Sequence, residues 1–508
     1  MYNNGIIKKY VEEFNQNDEE TKRQAISNDK AFEWLCSQIP LFECADKLIE
    51  KIYYFRWWVF RKHIKNIPDG QIITEFLSDV PWSGPYNSIN CACGHHLAEA
   101  RWLRDGKKLA ESYIRFWMEG RGDIFAYSCW IAQSIYQYSV LRDRKKFAVG
   151  YKNQLDKYYQ HIENTNMTRY GLFWSHDDRD AMELSISGDG LRPTLNSYMY
   201  ANAKAISKIA SWANDVVMEK NYAAKAEELK KKINCLLWDS KENFYKVIPQ
   251  AKKNEEIASF DFSNITSENN VKEEIGFIPW AYGIPPEEYN GAWKYLMSNK
   301  HFWACYGPRT ADLQHPRYGF PYHHECLWNG PSWPFATTQT LNSMITLLQG
   351  NKPVPINRLD FLKQMRIYAN SHYRTTEEGK RINWIDEDLD PDTGEWLSRD
   401  ILKKEGWPKK MGGRERGKDY NHSAFCDLVI RGLCGVEIRD SPVLYIDPLI
   451  PQNGWDYFMV DRLPYQNHIL RIQYDKDGSH YGSEGFRVFV DGELAVYSNA
   501  LKKVEIKI

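Results

Sequence analysis

The sequence predicts a mainly α-helical protein in which paired helices form a toroid, followed by a small C-terminal β-sandwich-like module. Segments of helical period recur in pairs about six times, and the loops between them are long, aromatic and rich in Gly and Pro. No repeat of fixed length accompanies them, which argues against a helical solenoid. From about Ser441 the apolar residues alternate with period two, which is typical of strands. We therefore predict a helical domain over residues 1–440 and a β module over residues 441–508.

The helical segments follow one another closely along the first domain. Two helices are expected around Ile39-Pro40, and the second is apolar on nearly all sides from Leu48 to Phe60, which predicts an inner helix. Further helices are predicted at about 89–104, 107–119, 124–141, 144–162, 193–214, 219–237, 286–298, 334–348, 356–373 and 421–437. The polar stretch 250–270 has low hydrophobicity, which predicts a surface excursion.

The C-terminal module is predicted from four runs with strand periodicity. They cover residues 443–446, 468–474, 486–490 and 504–508. Asp491-Gly492 is a hairpin signal between two of these runs. We expect the module to pack against the helical domain rather than to bind a ligand of its own.

Composition narrows the class of partner. The 66 basic and 67 acidic residues give a net charge of -1, so there is no electrostatic case for binding nucleic acid or an anionic membrane. Aromatic residues make up 14% of the chain, with 19 Trp and 32 Tyr. Aromatic faces stack on the C–H faces of sugar rings, although they also fill protein cores. A small carbohydrate is therefore the predicted partner, while the oligomeric state is not encoded in these patterns.

Location and cofactors are predicted from what the sequence lacks. The first twenty residues are too polar for a signal peptide, no run approaches 18 apolar residues, and the ten Cys are scattered, so we predict a cytoplasmic protein with free thiols. The segment Cys-Ala-Cys-Gly-His-His at residues 91–96 has no second Cys or His pair at zinc-site spacing. No Gly-rich phosphate loop is present. Neither a metal nor another cofactor is expected.

The stretch at residues 177–189 is the first candidate for chemistry. It places five carboxylates within thirteen residues, and Met182, Leu184 and Ile186 lie among them. Carboxylates against apolar walls acquire raised pKa values, which suits general acid catalysis. The alternative is an acidic surface loop that precedes a helix.

Two later segments, residues 315–334 and 384–396, also combine acids with aromatic residues. Glycoside hydrolysis needs two carboxyl groups that face one cleft. One is protonated and donates to the leaving oxygen, and the other is ionised and activates water or attacks carbon. The three segments together therefore suit this chemistry.

Specific motifs occur in order across these segments. They are Asp-Ala-Met-Glu-Leu-Ser at 180–185, Leu-Asn-Ser-Tyr at 195–198, Trp-Asn-Gly-Pro-Ser-Trp at 328–333 and Glu-Asp-Leu-Asp-Pro-Asp-Thr-Gly at 387–394. Over roughly residues 165–437 the sequence resembles the six-hairpin, (α/α)6-barrel glycosidases. It is most similar to glycoside hydrolase family 63 and its mannosylglycerate-hydrolase-like branch. The resemblance implies an (α/α)6 toroid and an inverting mechanism.

The same resemblance implies catalytic residues. Glu183 would be the general acid and Glu387 the general base that activates water. The family has Asp where this chain has Glu183, so Asp180, three residues upstream, is the alternative acid. Asn329 replaces an Arg of the family motif and Leu389 replaces a Tyr, and both changes bear on substrate identity.

Candidate substrate-binding residues combine aromatic rings, which stack on sugar faces, with polar groups that bind hydroxyls. They are Trp328, Trp333, Glu325, Asn329, Arg192, Arg56, Trp57, His95, His96, Trp174 and His422. Core packing is the alternative for the Trp, His and Arg56 side chains. Ion pairing is the alternative for Glu325 and Arg192.

The predicted function is an inverting exo-glycosidase that acts on an oligosaccharide or small glycoside. Inversion requires the two carboxyl groups to lie about 6.5–9.5 Å apart, whereas about 5 Å would indicate retention. A sugar epimerase or polysaccharide lyase on the same toroid is an alternative, because His95-His96 and His323-His324 form pairs. A carbohydrate-binding protein without catalysis is the third hypothesis.

Overall fold

The computed structural model describes residues 4–350 and 353–508. Its α-helices are Asn4–Gln16, Ala31–Gln38, Lys47–Lys62, Cys93–Ala100, Gly106–Met118, Ile131–Leu141, Lys145–Gly150, Lys152–Asn166, Pro193–Trp212, Val216–Leu236, Ile278–Ala281, Pro334–Leu348, Arg358–Ser371, Leu397–Lys404 and Phe425–Leu428. The prediction of a mainly helical protein with a C-terminal sheet is confirmed.

Two helices begin where segments of the candidate site end. Pro193 and Pro334 each occupy the first turn of their helix, where a missing N–H costs no hydrogen bond. Pro193–Trp212 packs against Val216–Leu236, and Pro334–Leu348 packs against Arg358–Ser371. The loops that precede these two helices are therefore anchored by paired helices of the core.

The helix Lys47–Lys62 is an inner helix, as predicted. Between Ile49 and Lys62 only Lys51 is not fully buried. The Asp46 side chain caps its N-terminus by accepting from the Leu48 and Ile49 amides. This helix contacts both Arg358–Ser371 and Phe425–Leu428, so early and late segments of the chain meet in the core.

Some helical predictions differ from the structure. Residues 421–437 form only the short helix Phe425–Leu428 and the π-helical turn Val429–Leu433. The Asn421 amide donates to the Glu75 carbonyl at 3.0 Å, so a tertiary hydrogen bond takes the place of a bond within a helix. The predicted helix at 286–298 is a 3-10 helix, Glu287–Lys294. The helices Asn4–Gln16 and Leu397–Lys404 had not been predicted.

A five-stranded antiparallel sheet joins the two ends of the chain. Its order is Leu41–Cys44, Tyr457–Tyr465, His468–Asp475, Gly485–Val490 and Glu493–Ser498. Leu41 pairs with Asp461 and Cys44 with Phe458, so one edge strand comes from the helical part of the sequence. A further pair joins Val443–Ile446 to Val504–Lys507.

The hairpin signal of the C-terminal module connects strands other than those expected. Asp491 and Gly492 both adopt positive φ, 51° and 90°, which suits a two-residue turn. The turn joins Gly485–Val490 to Glu493–Ser498, a strand that the sequence did not predict.

Smaller strand pairs lie among the helices. They are Ile64–Ile67 with Gly70–Ile73, Trp174–Ser175 with Gly190–Leu191 and Ile248–Pro249, Trp238–Asp239 with Phe244–Tyr245, and Tyr373–Thr375 with Arg381–Asn383. Among the helices of residues 4–350 and 353–508, none has the length and apolar character needed to cross a membrane.

Candidate active site

A cavity of about 250 Å³ lies where six separate parts of the chain meet. This volume is slightly below the roughly 300–1,000 Å³ range of small-molecule sites. Its lining consists of Glu75, Phe76, Trp82, Ile89, Cys91, Tyr127, Asp178, Ala181, Glu183, His324, Glu325, Cys326, Trp333, Glu387, Met411, Arg416 and Tyr420. Four of the predicted site residues, Glu183, Glu325, Trp333 and Glu387, are thus brought together.

The loop that carries Glu183 has an unusual backbone. Ala181 and Leu184, on either side of Met182 and Glu183, both have φ of 58°, a conformation that non-glycine residues rarely adopt. The Met182 amide bonds to the Asp177 carbonyl, and the Trp328 amide bonds to the Glu183 carbonyl at 3.2 Å. These bonds hold the loop in the shape that points Glu183 into the cavity.

The surroundings of Glu183 favour its protonated form at neutral pH. Burial raises its pKa to about 8, and the negative charge of Glu387 adds to the rise. A carboxyl group with a pKa in this range can donate a proton to a leaving oxygen at pH 7.

Glu387, unlike Glu183, lies against a positively charged side chain. Its carboxylate accepts from Arg416 Nε at 2.9 Å and from the Cys326 thiol at 3.2 Å. Arg416 also donates to Glu325 at 2.6 Å, and its guanidinium lies 4.6 Å from the Trp82 ring. Burial lowers the pKa of Arg416, but the charges of Glu387 and its neighbours outweigh burial and raise it. The guanidinium therefore stabilises negative charge on Glu387.

Hydrogen bonds hold the loop around Glu387 in place on both sides of that residue. Leu389 exchanges two backbone hydrogen bonds with Ser332, at 2.9 and 3.0 Å. Asp386 accepts from the Glu387 amide at 3.0 Å, and Asp388 accepts from the Ser398 amide at 3.1 Å. Leu389 thus links the segment with Glu387 to the segment that ends in Trp333.

A further carboxyl group, Glu75, faces the same cavity. It accepts hydrogen bonds from the Tyr420 hydroxyl and, at 3.2 Å, from the Cys91 thiol. Burial raises its pKa to about 7, these two donors lower it, and the charge of Glu387 raises it further. Sequence analysis missed Glu75 and Arg416, because neither stands in a motif with specific spacing.

The aromatic wall consists of two layers. Trp333 lines the cavity, and Trp328 stacks behind it at 4.6 Å with 13° between the ring planes. Trp333 donates from Nε1 to the Leu327 carbonyl at 2.8 Å, which fixes its ring. The His422 ring stacks on Tyr420 at 3.8 Å, so His422 also supports the lining from behind.

Asp180 and Arg192 lie outside the cavity lining and pair with each other. Arg192 donates to Asp180 at 2.8 Å, and both side chains are fully buried. Asp180 also accepts from the Ser128 hydroxyl at 2.6 Å, while Arg192 donates to the Gly188 carbonyl at 2.5 Å. Their contacts tie the acidic loop to the core.

The candidates on the inner helices are held by packing contacts away from this lining. Arg56 donates to the Ser423 carbonyl at 2.9 Å, and Trp57 is completely buried. His96 contacts the Tyr113 hydroxyl and the Asn421 carbonyl. Side chains on inner helices contact other core residues because protein interiors are close-packed. Arg56, Trp57 and His96 therefore do not reach the cavity lining.

The remaining candidates are also placed elsewhere. His95 lines a separate, narrow cavity of about 40 Å³ between helices. Trp174 donates to the Gln250 carbonyl at 2.7 Å, and Asn329 donates to the Phe320 carbonyl at 2.9 Å. His323 is exposed, so among the described residues no pair of histidines lines the main cavity. An epimerase or lyase built on a His pair has no geometry here to support it.

Comparison with known sequences identifies the family. The profile of the mannosylglycerate hydrolase MGH1-like glycoside hydrolase domain matches residues 85–423, which are 339 of the 508 residues. The chain belongs to this family of glycoside hydrolases, and the predicted resemblance is confirmed. The C-terminal domain of glycosyl hydrolase family 65 matches residues 438–496, which include most of the five-stranded sheet.

Solved structures and curated proteins give further likenesses. A structure described as a sialidase is 36% identical with a TM-score of 0.89, covering 100% of this chain and 45% of that chain. A rhamnosidase of family GH78 from Bacillus sp. GL1 is 11% identical with a TM-score of 0.51, covering 86% of this chain and 40% of that chain, and shares the fold. An uncharacterized protein of Borreliella burgdorferi is 32% identical over 150 residues, 29% of each chain. This chain thus spans less than half the length of the sialidase.

Proposed function

We propose that this chain is an inverting, exo-acting glycosidase in which Glu183 is the general acid and Glu387 the general base. One observation carries the proposal: Glu183 and Glu387 line one cavity in opposite electrostatic environments. Burial raises the pKa of Glu183 to about 8, whereas Arg416 donates to Glu387 at 2.9 Å. Inverting hydrolysis needs one protonated and one ionised carboxyl group in this way.

The proposed chemistry moves two protons. Glu183 gives its proton to the glycosidic oxygen as the bond from that oxygen to the anomeric carbon breaks. Glu387 takes a proton from the water that attacks the anomeric carbon on the opposite face, so the released sugar has inverted configuration. Glu387 then returns a proton to solvent and Glu183 takes one up, which restores the starting state. Asp180 takes no part in these steps, because its carboxylate is paired with Arg192 outside the cavity.

The proposal includes an (α/α)6 toroid as the scaffold and a division near residue 440. The helix pairs that flank the site and the contact of Lys47–Lys62 with Arg358–Ser371 support a closed ring of helices. The sheet is then a separate module that takes in the strand Leu41–Cys44. The free state of all ten cysteines fits a reducing compartment, so we propose a cytoplasmic location.

The substrate in this proposal is a short glycoside whose terminal sugar enters the cavity. The family name points to mannosides, and the likeness to a sialidase makes sialosides a second candidate. That sialidase is more than twice as long as this chain, so both sugars belong in the first panel.

The test is hydrolysis of a panel of aryl α- and β-glycosides and disaccharides. Wild type is compared with Glu183→Gln, Glu387→Gln and the control Glu228→Gln, which changes an exposed carboxylate on the helix Val216–Leu236. We expect Glu387→Gln to lower kcat by about 10²–10⁴-fold on every substrate. Glu183→Gln should impair disaccharides strongly and dinitrophenyl glycosides much less, since a dinitrophenolate leaves without a proton. The control should match wild type.

The anomer formed first is followed by proton NMR. Inverted product supports the mechanism, and retained product would refute inversion. Wild-type rates in Glu387→Gln would remove the base assignment. A product that absorbs in the ultraviolet would indicate a lyase. Failure of every glycoside to react would refute the proposed function.

A further inference from the structure

A second cavity, of about 320 Å³, lies beside the loop that carries Glu387 and is lined by three arginines. Its walls include the strands Tyr373–Thr375 and Arg381–Asn383 and the first residues of the helix Leu397–Lys404. Among the described residues, it shares no lining residue with the cavity that contains Glu183 and Glu387. The volume lies within the roughly 300–1,000 Å³ range of small-molecule sites. This cavity is therefore separate from the candidate active site and large enough for a small ligand.

Arg374, one of the three arginines, carries a positive charge without an ion-pair partner in the described part of the chain. Its Nε is buried and has no hydrogen-bond partner. Its guanidinium lies 3.9 Å from the centre of the Trp384 ring, and that of Arg399 lies 4.7 Å from the same ring. Burial lowers the pKa of Arg374, and the charge of Arg399 lowers it further. Two like charges are thus held close together at one wall of the cavity.

The other two arginines use few of their donors. Arg399 donates to the Arg414 carbonyl at 3.1 Å and lies 3.6 Å from a carboxylate oxygen of Asp386. Arg381 donates to the Asn370 side chain at 2.7 Å. A guanidinium has more N–H donors than these contacts occupy. Both side chains therefore keep donors for a ligand.

Two acidic residues, Glu395 and Asp400, also line the cavity. Both are exposed, and within residues 4–350 and 353–508 neither forms an ion pair with any of the three arginines. Three guanidinium groups therefore outnumber two solvated carboxylates. A charge taken out of water without a counter-charge costs free energy, and a bound anion would offset that cost at Arg374.

We propose that this cavity binds a phosphate group, either as inorganic phosphate or on a small sugar, through Arg374, Arg381 and Arg399. Guanidinium groups bind phosphate oxygens through paired N–H···O bonds, and the planar arrangement of their donors matches that geometry. Tyr306 and Thr375 line the same cavity and supply a ring and a hydroxyl to the group attached to the phosphate. Binding here does not depend on the proposed hydrolase function.

Calorimetric titration at constant ionic strength tests the proposal. Inorganic phosphate and glucose 6-phosphate are titrated into wild type, with glucose as the neutral control. Arg374→Gln is the test variant, and Arg169→Gln removes an exposed arginine that does not line the cavity. We expect Arg374→Gln to weaken phosphate binding by about 10-fold or more, because charge-assisted hydrogen bonds are lost. Arg169→Gln should bind as wild type does.

Thermal unfolding separates ligand binding from a structural role of Arg374. Because this side chain has no ion-pair partner among the described residues and lies near Arg399, Arg374→Gln should keep the Tm of wild type in phosphate-free buffer. Phosphate should raise the Tm of wild type and of Arg169→Gln, and it should leave that of Arg374→Gln unchanged. An Arg374→Gln protein that loses Tm without phosphate and still binds phosphate normally would make the residue structural and overturn the proposal.

The remaining outcomes are also decisive. A wild-type protein that binds neither phosphate nor glucose 6-phosphate would overturn the proposal, and equal binding by wild type and Arg374→Gln would place the phosphate elsewhere. Displacement of phosphate by glucose would show a site for neutral sugars and would overturn the anion assignment. Tighter binding of glucose 6-phosphate than of phosphate would support the site and identify a phosphorylated sugar as its ligand. Equal binding of the two would support the site with inorganic phosphate as its ligand.

Discussion

Replacing Glu183 by Gln should make the stability of the protein less sensitive to alkaline pH. A carboxyl group whose pKa is raised in the folded state contributes stability that is present in full below its ordinary pKa and is lost as pH rises through the folded value. For Glu183 the window runs from 4.5 to about 8. Gln cannot ionise, so the variant loses nothing over this window. Glu183→Gln should therefore gain stability relative to wild type between pH 5 and pH 9.

The size of the gain follows from the pKa. A rise from 4.5 to about 8 corresponds to about 5 kcal/mol at most. Glu183 contacts solvent through the cavity, and solvent screening reduces this figure, so we expect about 2 kcal/mol. A chain of 508 residues unfolds with an entropy of roughly 1 kcal/mol/K. The expected gain in Tm is then about 2 °C.

Calorimetric scans from pH 5 to pH 9 measure this difference for wild type, Glu183→Gln and Glu228→Gln. The Tm of Glu183→Gln should rise relative to wild type as pH increases, while the exposed control should follow wild type throughout. The same ionisation predicts that wild-type kcat/KM falls above about pH 8. A constant Tm difference across the pH range would show that Glu183 is not a buried acid, and the reasoning would be refuted.

Three further substitutions address the surrounding contacts. Arg416→Lys keeps the positive charge but loses the two-donor contact of the guanidinium with the Glu387 carboxylate. We expect kcat to fall about 10–100-fold with a smaller change in KM. An unchanged kcat would show that this contact does not support catalysis. Asp180→Asn leaves the charge of Arg192 buried without its partner and should cost about 3–5 kcal/mol in urea unfolding. A folded Asp180→Asn protein that loses kcat without losing stability would instead make Asp180 the acid. Trp333→Ala should raise KM by about 10-fold or more, because it removes the aromatic face from the cavity, and an unchanged KM would place the sugar elsewhere.

Long helices with a clear apolar period were predictable from the sequence. The helix predicted at 193–214 is Pro193–Trp212, and the one predicted at 334–348 is Pro334–Leu348. Both begin with Pro, and each has a continuous buried face, so local signals and packing agree. The strand Leu41–Cys44 was not predictable, because its partner strand begins more than 400 residues later. Four residues carry too little periodicity to reveal such a contact.

The site residues also fall into two groups. Some stand in local sequence motifs, and others are distinguished only by contacts with residues far away in the chain. Glu183 and Glu387 could be proposed because each stands in a motif of several residues. Glu75 could not, because what sets it apart is its contact with Tyr420, 345 positions away. Arg56 and Trp57 were proposed from residue type alone. A sequence gives their place on an inner helix but not their depth relative to the cavity.

The charge balance of the cavity bears on the proposed mechanism. In the proposed mechanism Glu183 loses a proton and Glu387 gains one, so the total charge of the pair stays constant through the reaction. The transition state places positive charge on the sugar ring, and an excess of carboxylates around the ring stabilises that charge. Arg416 pairs with both Glu325 and Glu387, so its positive charge is shared between two carboxylates. The carboxylates in excess over this guanidinium are the groups that can stabilise the positive charge of the sugar ring.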